Sequence, residues 1–186
     1  NGLATLANVG TPYGLAFDSA GRLLITQISY YVVRRVDTNG VITTVAGTGT
    51  NGYFPAATIA TSANIGAPNS VVEHPAGSGG FAVSEGPSAT GSLPLVRWVD
   101  ADGGAGILAG GDGGAFDAGM LATAVKIGPV ASLSRAANGD LLVSQSSSAV
   151  AQHMWVYADG GRVGVGAGTG TPGYSPDGVS AASNPV

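Results

Sequence analysis

The chain has 186 residues, 32 glycines, no cysteine and a formal net charge of −4. Charged residues make up only 10% of it, against about 25% in an average protein, which excludes a charged solvating tail and a basic, polyanion-binding surface. Without cysteine there is no disulfide framework, thiolate zinc site or cysteine nucleophile.

The predicted elements begin with four short strands, at about Gly14–Phe17, Leu23–Gln27, Val32–Asp37 and Val41–Ala46. They are rich in Val, Ile and Leu, and Gly and Asn turns separate them. Gly21 marks the first turn, and Asn39-Gly40 predicts a tight type I′ turn between the third and fourth strands. A linker follows, Gly47-Thr48-Gly49-Thr50-Asn51-Gly52-Tyr53. The small-residue stretch Ala56–Asn64 allows a short helical turn, but its Thr and Ile residues disfavour a long helix.

The same order then recurs. Asp100-Ala101-Asp102-Gly103 leads to Leu108-Ala109-Gly110, and Tyr157-Ala158-Asp159-Gly160 leads to Gly166-Ala167-Gly168. Asp102-Gly103 and Asp159-Gly160 repeat the expected hairpin signal; Gly79 or Gly80 and Asn138-Gly139 repeat the earlier turn. Small-residue patches close the units at Ala60-Thr61-Ser62-Ala63, Ala122-Thr123-Ala124 and Ser180-Ala181-Ala182-Ser183. The units run over about 8–63, 64–124 and 125–186, in a single domain. A unit of four antiparallel strands repeating at this length points to an all-β fold, the β-propeller, with three four-stranded blades.

The first unit resembles the NHL repeat family. It carries Pro12-Tyr13-Gly14-Leu15-Ala16-Phe17-Asp18, then Gly21-Arg22-Leu23-Leu24-Ile25-Thr26. Val33-Arg34-Arg35-Val36-Asp37 and Gly40-Val41-Ile42-Thr43-Thr44-Val45-Ala46-Gly47 complete the match. The resemblance implies a propeller that closes with about six blades, so three blades are about half of a ring. Two departures stand out. The family's Asp at the end of the second strand is Gln27, Glu85 and Gln145 here. The inner strands of the second and third units, Pro68–His74 and Pro129–Ser134, are degraded, which removes any channel chemistry the resemblance would imply.

Candidate chemistry is sparse. His74 and His153 occupy non-equivalent repeat positions, so they form no ring of ligands. Glu73, His74 and Glu85 are the nearest approach to a metal-binding set. Gly110-Gly111-Asp112-Gly113-Gly114 with Asp117 resembles one calcium β-roll repeat, but that motif needs tandem copies, and a linker turn explains it better. No Gly-x-Ser-x-Gly elbow, phosphate loop with its Lys, or Asn-x-Ser/Thr sequon is present. No cofactor, catalytic residue or metal ligand is therefore assigned.

Arg34, Arg35, Arg97, Trp98 and Trp155 all fall in third strands, with Arg35, Trp98 and Trp155 at equivalent positions. They pack between blades or form an aromatic contact strip for a partner, since Arg and Trp are favoured at interfaces. The expected function is a non-catalytic structural or interaction module. Its partner is a protein, either copies of itself or the rest of a longer chain, in an extracellular or cell-surface setting or a fibrous assembly. Ser-, Thr- and Pro-bearing loops are candidate acceptors of O-linked glycans. Seven Lys and Arg residues argue against nucleic acid. Apolar stretches such as Val41 to Ala46 fall far short of the roughly 20 residues that cross a bilayer, so no membrane insertion is expected. The alternative is a metal-dependent propeller enzyme of lyase or lactonase type. Because the sequence opens on Asn1 with no signal-like region, a processed, excised or truncated chain is expected.

Overall fold

The structure is a computed structural model that describes residues 2–54, 58–87, 91, 93–111, 113–114, 118–145, 153–156, 160–169, 178 and 180. Of residues 153–156 only the backbone is described. Three antiparallel sheets follow one another along the chain. The first holds β1 (Gly2–Leu3), β2 (Pro12–Phe17), β3 (Leu23–Gln27), β4 (Val32–Val36) and β5 (Val41–Ala46). The second holds β6 (Thr58–Ile59), β7 (Pro68–Glu73), β8 (Phe81–Glu85), β9 (Leu95–Val99) and β10 (Gly104–Gly110). The third holds β11 (Val130–Arg135), β12 (Leu141–Gln145), β13 (His153–Val156) and β14 (Val163–Ala167). Among the described residues no helix is long and apolar enough to cross a membrane.

Each sheet is built around a consecutive meander, as short Val-, Ile- and Leu-rich strands separated by glycine turns predict. Two features depart from that expectation. The first two sheets have five strands, because two-residue strands β1 and β6 pair with the outer edges of β5 and β10. After each of these comes one 3-10 turn, Ala4–Leu6 and Ala60–Ser62, the second inside the Ala56–Asn64 stretch whose sequence allows a short helical turn. The β4–β5 and β9–β10 hairpins are also not type I′. Only Gly40 and Gly103 take positive φ there, at 77° and 90°; Asn39 and Asp102 do not. The reason is the preceding aspartate. Asp37 Oδ1 accepts the Asn39 and Val41 amides, and Asp100 Oδ1 accepts those of Asp102 and Gly104. That pattern makes an Asx-type loop ending on a left-handed glycine.

The sheets stack through their faces. In β7 to β10, Val71, Phe81, Val83, Val99 and Ala105 point to the first sheet and join Leu24, Val33 and Ala46 in one buried cluster. The alternate residues Ala82, Val96 and Ala109 point the other way, to Leu133, Leu141, Val143 and Val163 of the third sheet. This is period-two patterning with both faces covered. The innermost strands β2, β7 and β11 lie side by side.

Hydroxyl groups tie these inner strands together. Each inner strand has a bulge near its start, between Pro12 and Leu15, Pro68 and Val71, and Val130 and Ser132. Thr26 Oγ1 accepts the Gly14 amide at 2.7 Å and donates to the Asn69 carbonyl of the next blade at 2.9 Å. Ser84 Oγ accepts the Ser70 amide, and Ser144 Oγ donates to the Ser132 carbonyl, at the equivalent places. Ser70 Oγ accepts the Leu133 amide, and Asn69 Nδ2 donates to the Val130 carbonyl, across the second junction. Gly14 itself must be glycine, because a Cβ there would lie 2.4 Å from the Asn69 carbonyl oxygen. Replacing Thr26 with valine keeps the shape and strands the Gly14 amide. The expected loss is about 1–3 kcal/mol of unfolding free energy, read from urea denaturation.

Candidate functional site

The third-strand residues singled out by the sequence divide between two faces. Cross-strand pairing puts Arg34 opposite Ile25, Arg97 opposite Val83 and Met154 opposite Val143. Arg35, Trp98 and Trp155 lie one residue on, opposite Leu24, Ala82 and Leu142. Successive strand residues face opposite ways, so these are two columns and not one strip. Arg35 faces the second blade; burial and the nearby Arg22 charge lower its pKa, and Asp18 and Asp37 oppose them. Trp98 is partly buried in a crevice with His74, Pro75 and Leu108. The Trp155 and His153 side chains, and Asp112 and Asp117, lie outside the described residues.

Arg97 is 1% exposed and therefore cannot meet a partner. Its Nε donates to Glu85 Oε1 at 2.5 Å and its Nη2 to Oε2 at 3.4 Å. The Gly66 amide completes the carboxylate at 3.1 Å. Phe54, from the linker after the first blade, stacks on the guanidinium with 3.8 Å from Cζ to the ring centroid. Its carbonyl accepts from Nη1 at 3.4 Å. Such a pair is held by hydrogen bonds on every side, so losing one partner leaves a bare buried charge. Sequence reading missed this pair, although Glu85 and Arg97 flank the turn of one hairpin and register alone would have brought them together.

The first blade presents the same site in a different state. The equivalent of Glu85 is Gln27, and the equivalent of Arg97 is Arg34. Arg34 Nη1 reaches Gln27 Oε1 only at 3.4 Å, and Arg34 Nε is buried with no hydrogen-bond partner. The Gly10 amide, which matches that of Gly66, goes to Asn8 Oδ1 instead. A crevice of about 300 Å³ opens here, lined by Asn8, Gln27, Tyr30, Val32, Arg34, Thr44 and Gly49.

Glu73 and His74 sit at the other end of the second blade. Glu73 pairs across the sheet with Phe81, whereas Glu85 pairs with Pro68, so the length of a hairpin separates the two acids. Among the described residues no three His, Asp or Glu side chains converge as metal ligands. Glu73 instead latches the blades. It accepts the Ser19 amide at 3.0 Å and the Ser19 hydroxyl at 2.7 Å from the first blade's turn. Burial raises its pKa, but these bonds and the Gly77 and Gly79 amides outweigh it and hold the group below its ordinary 4.5. Next to it, Asp18 pairs with Arg22 at 2.6 Å, and Arg22 reaches the Gly79 carbonyl. Burial, and then the Arg135 charge, push the pKa of His74 below 6.5.

No family description and no curated protein sequence matches the chain. Solved structures do match. A Bacteroides thetaiotaomicron protein of unknown function superposes with a TM-score of 0.63 at 14% identity, over 86% of this chain and 36% of its own length. A gluconolactonase from Xanthomonas campestris gives 0.53 at 17% identity, over 84% and 50%. A streptogramin B lyase gives 0.50 at 14% identity, over 86% and 42%. The fold is that of β-propeller blades. The chain spans half or less of the length of these propeller proteins. At such identities the likeness establishes the propeller architecture and goes no further.

Two outcomes follow from the buried groups. Glu85→Gln, which leaves Arg97 facing an amide, is expected to cost roughly 3–5 kcal/mol in urea unfolding. Acidification is also expected to destabilise the propeller in two steps. Because both folded pKa values are depressed, the unfolded chain binds protons that the folded chain refuses. Stability is full above 6.5, falls first as His74 sites titrate in the unfolded chain, and falls again below 4.5 as Glu73 does. His74→Gln should flatten the first step alone in thermal melts across pH.

Proposed function

We propose that this protein works by association, with its blades joining further blades to close a ring. The observation that carries the reading is one position compared across three inner strands. Val71 is 4% exposed and Leu133 is 6% exposed, each covered by the preceding blade; Leu15, in the same place on β2, is 63% exposed. Phe17, two residues further on and facing the same way, is 69% exposed. Two adjacent large apolar side chains left open in this way have the chemistry of an interface. At the far side, Leu142 is only partly buried where its equivalents Leu24 and Ala82 are fully buried. The two open faces are thus the two halves of the junction already used twice inside the chain.

Two copies joined head to tail at both faces would make six blades with two-fold symmetry, within the usual range for propellers. The resemblance of the first blade's motif to the NHL pattern supports this reading, and the scarcity of charge fits a surface that is largely covered. A setting outside the cell and O-linked glycans on the Ser- and Thr-rich loops belong to the same proposal.

A second reading, a propeller enzyme of lyase or lactonase type, draws support from the gluconolactonase and lyase that share the fold. Its ligands would then come in part from blades beyond these three. Metal analysis of the purified protein separates the two readings, since a stoichiometric ion favours the enzyme.

Light scattering on the chain, whose mass is 18.0 kDa, tests the main reading. A dimer that resists dilution is expected, and Leu15→Asp should convert it to monomer. A compact wild-type monomer at high concentration would overturn the proposal.

A further inference from the structure

One pair of positions is charge-balanced in the second and third blades and unbalanced in the first. The second blade has Glu85 with Arg97, and the third has Gln145 with Met154, two neutral residues. The first has Gln27 with Arg34: the cation is kept and the anion is gone. Gln27 is 2% exposed, so the amide occupies the buried place that the carboxylate takes next door. None of the described residues lining the crevice at Arg34 is acidic, and Arg34 is in no ion pair among the described residues. A guanidinium with a buried, unbonded Nε beside an opening of about 300 Å³ is a site that has lost its counter-ion and gained room for one.

We infer that this crevice binds a small organic carboxylate. The second blade shows what such a ligand must offer. There the guanidinium takes a carboxylate along its edge and an aromatic ring over its face. The ligand class is therefore a monocarboxylate with a short apolar or aromatic body. Its oxygens engage Arg34, and its body packs on Val32 and Tyr30 in the same crevice. Asn8 and Thr44 supply neutral hydrogen-bonding groups at the rim, which suits a single negative charge better than a phosphate dianion. All of these residues belong to the first blade and the segment before it, but Arg34 shares the face of Leu15 that ring closure would cover, so the site is tested on the open chain.

The test uses 3-phenylpropanoate and its uncharged amide, titrated into the intact chain by calorimetry and by amide NMR shifts. The acid should bind saturably, and the amide about tenfold more weakly or worse, the ratio expected for one hydrogen bond to a charged group. Arg34→Gln should abolish binding of the acid. Gln27→Glu is the sharper variant, because it rebuilds the Glu85–Arg97 arrangement inside the first blade. It should fold at least as stably as the wild type and lose the ligand, since the new carboxylate occupies the guanidinium. Equal affinity for acid and amide would overturn the inference, as would undiminished binding in Gln27→Glu or no saturable binding of the acid. Light scattering, with the titration repeated on the uncharged Leu15→Asn variant made to hold the chain open, separates this outcome from ring closure: a wild-type monomer that binds the acid refutes closure alone, and a monomeric variant that does not bind it refutes this site alone.

Discussion

A blade has two apolar faces, and at each junction within the chain one of them is buried against the next blade. The fit is between unlike surfaces. One face carries Leu24, Val33 and Ala46 in the first blade and Ala82, Val96 and Ala109 in the second. The facing surface carries Val71, Phe81 and Val83 in the second blade and Leu133, Leu141 and Val143 in the third. The side chains of the two faces fill one continuous buried cluster at each junction. Because the two faces differ in their residues, the stack has a direction. Closure by head-to-tail joining is then the arrangement that repeats the contact already selected.

Polar groups fix how far the blades slide on each other, which apolar packing does not. The Thr26 hydroxyl and the Ser70 and Asn69 side chains bond across the junctions at the inner strands. The Ser19–Glu73 bonds pin one end of the first junction, and Phe54 on Arg97 pins the other. These contacts consume charge. Asp18, Glu73, Glu85 and Arg97 are all buried. A chain whose charged fraction is only 10% therefore shows even less charge to solvent than its composition suggests. Neutral surface is a cost in solubility for an isolated chain, and a smaller one when neighbours cover it.

Much of the fold was legible, for identifiable reasons. Strands β3 and β5 fall where their Val, Ile and Leu content and the glycine turns placed them; β3 is buried along nearly its whole length, and β5 carries Ile42 and Ala46 into the core. Strands β1 and β6 were not legible: two residues carry no period, and only the outer edge of β5 or β10 makes them strands. The turn type was misread because Asn-Gly is a strong signal only when nothing upstream competes, and the Asp37 carboxylate does compete for the amides. The column of Arg and Trp residues was misread for a plainer reason. Arg34 and Arg35 are consecutive in a strand and must face opposite ways, so treating them as one surface ignored the pleat. The Glu85–Arg97 pair needed the hairpin register, which the Leu95 start of β9 sets and the sequence left open.

Within a repeat, agreement and disagreement between copies carry different information. Where the copies agree, as at Thr26, Ser84 and Ser144, the residue serves the backbone, and every blade needs it. Where they differ on an unchanged backbone, the fold has left the position free to serve something else. Gln27, Glu85 and Gln145 end equivalent strands, and Gly66 and Gly128 offer the same amide to the last two. An amide oxygen satisfies that donor as well as a carboxylate does, so packing alone does not require Glu. What distinguishes the three is the residue across the strand. Arg97 requires an acid and has one, while Met154 requires none. Arg34 is only partly buried and faces the Gln27 amide in place of an acid, so the exception among three otherwise consistent copies coincides with a crevice that has room for a ligand.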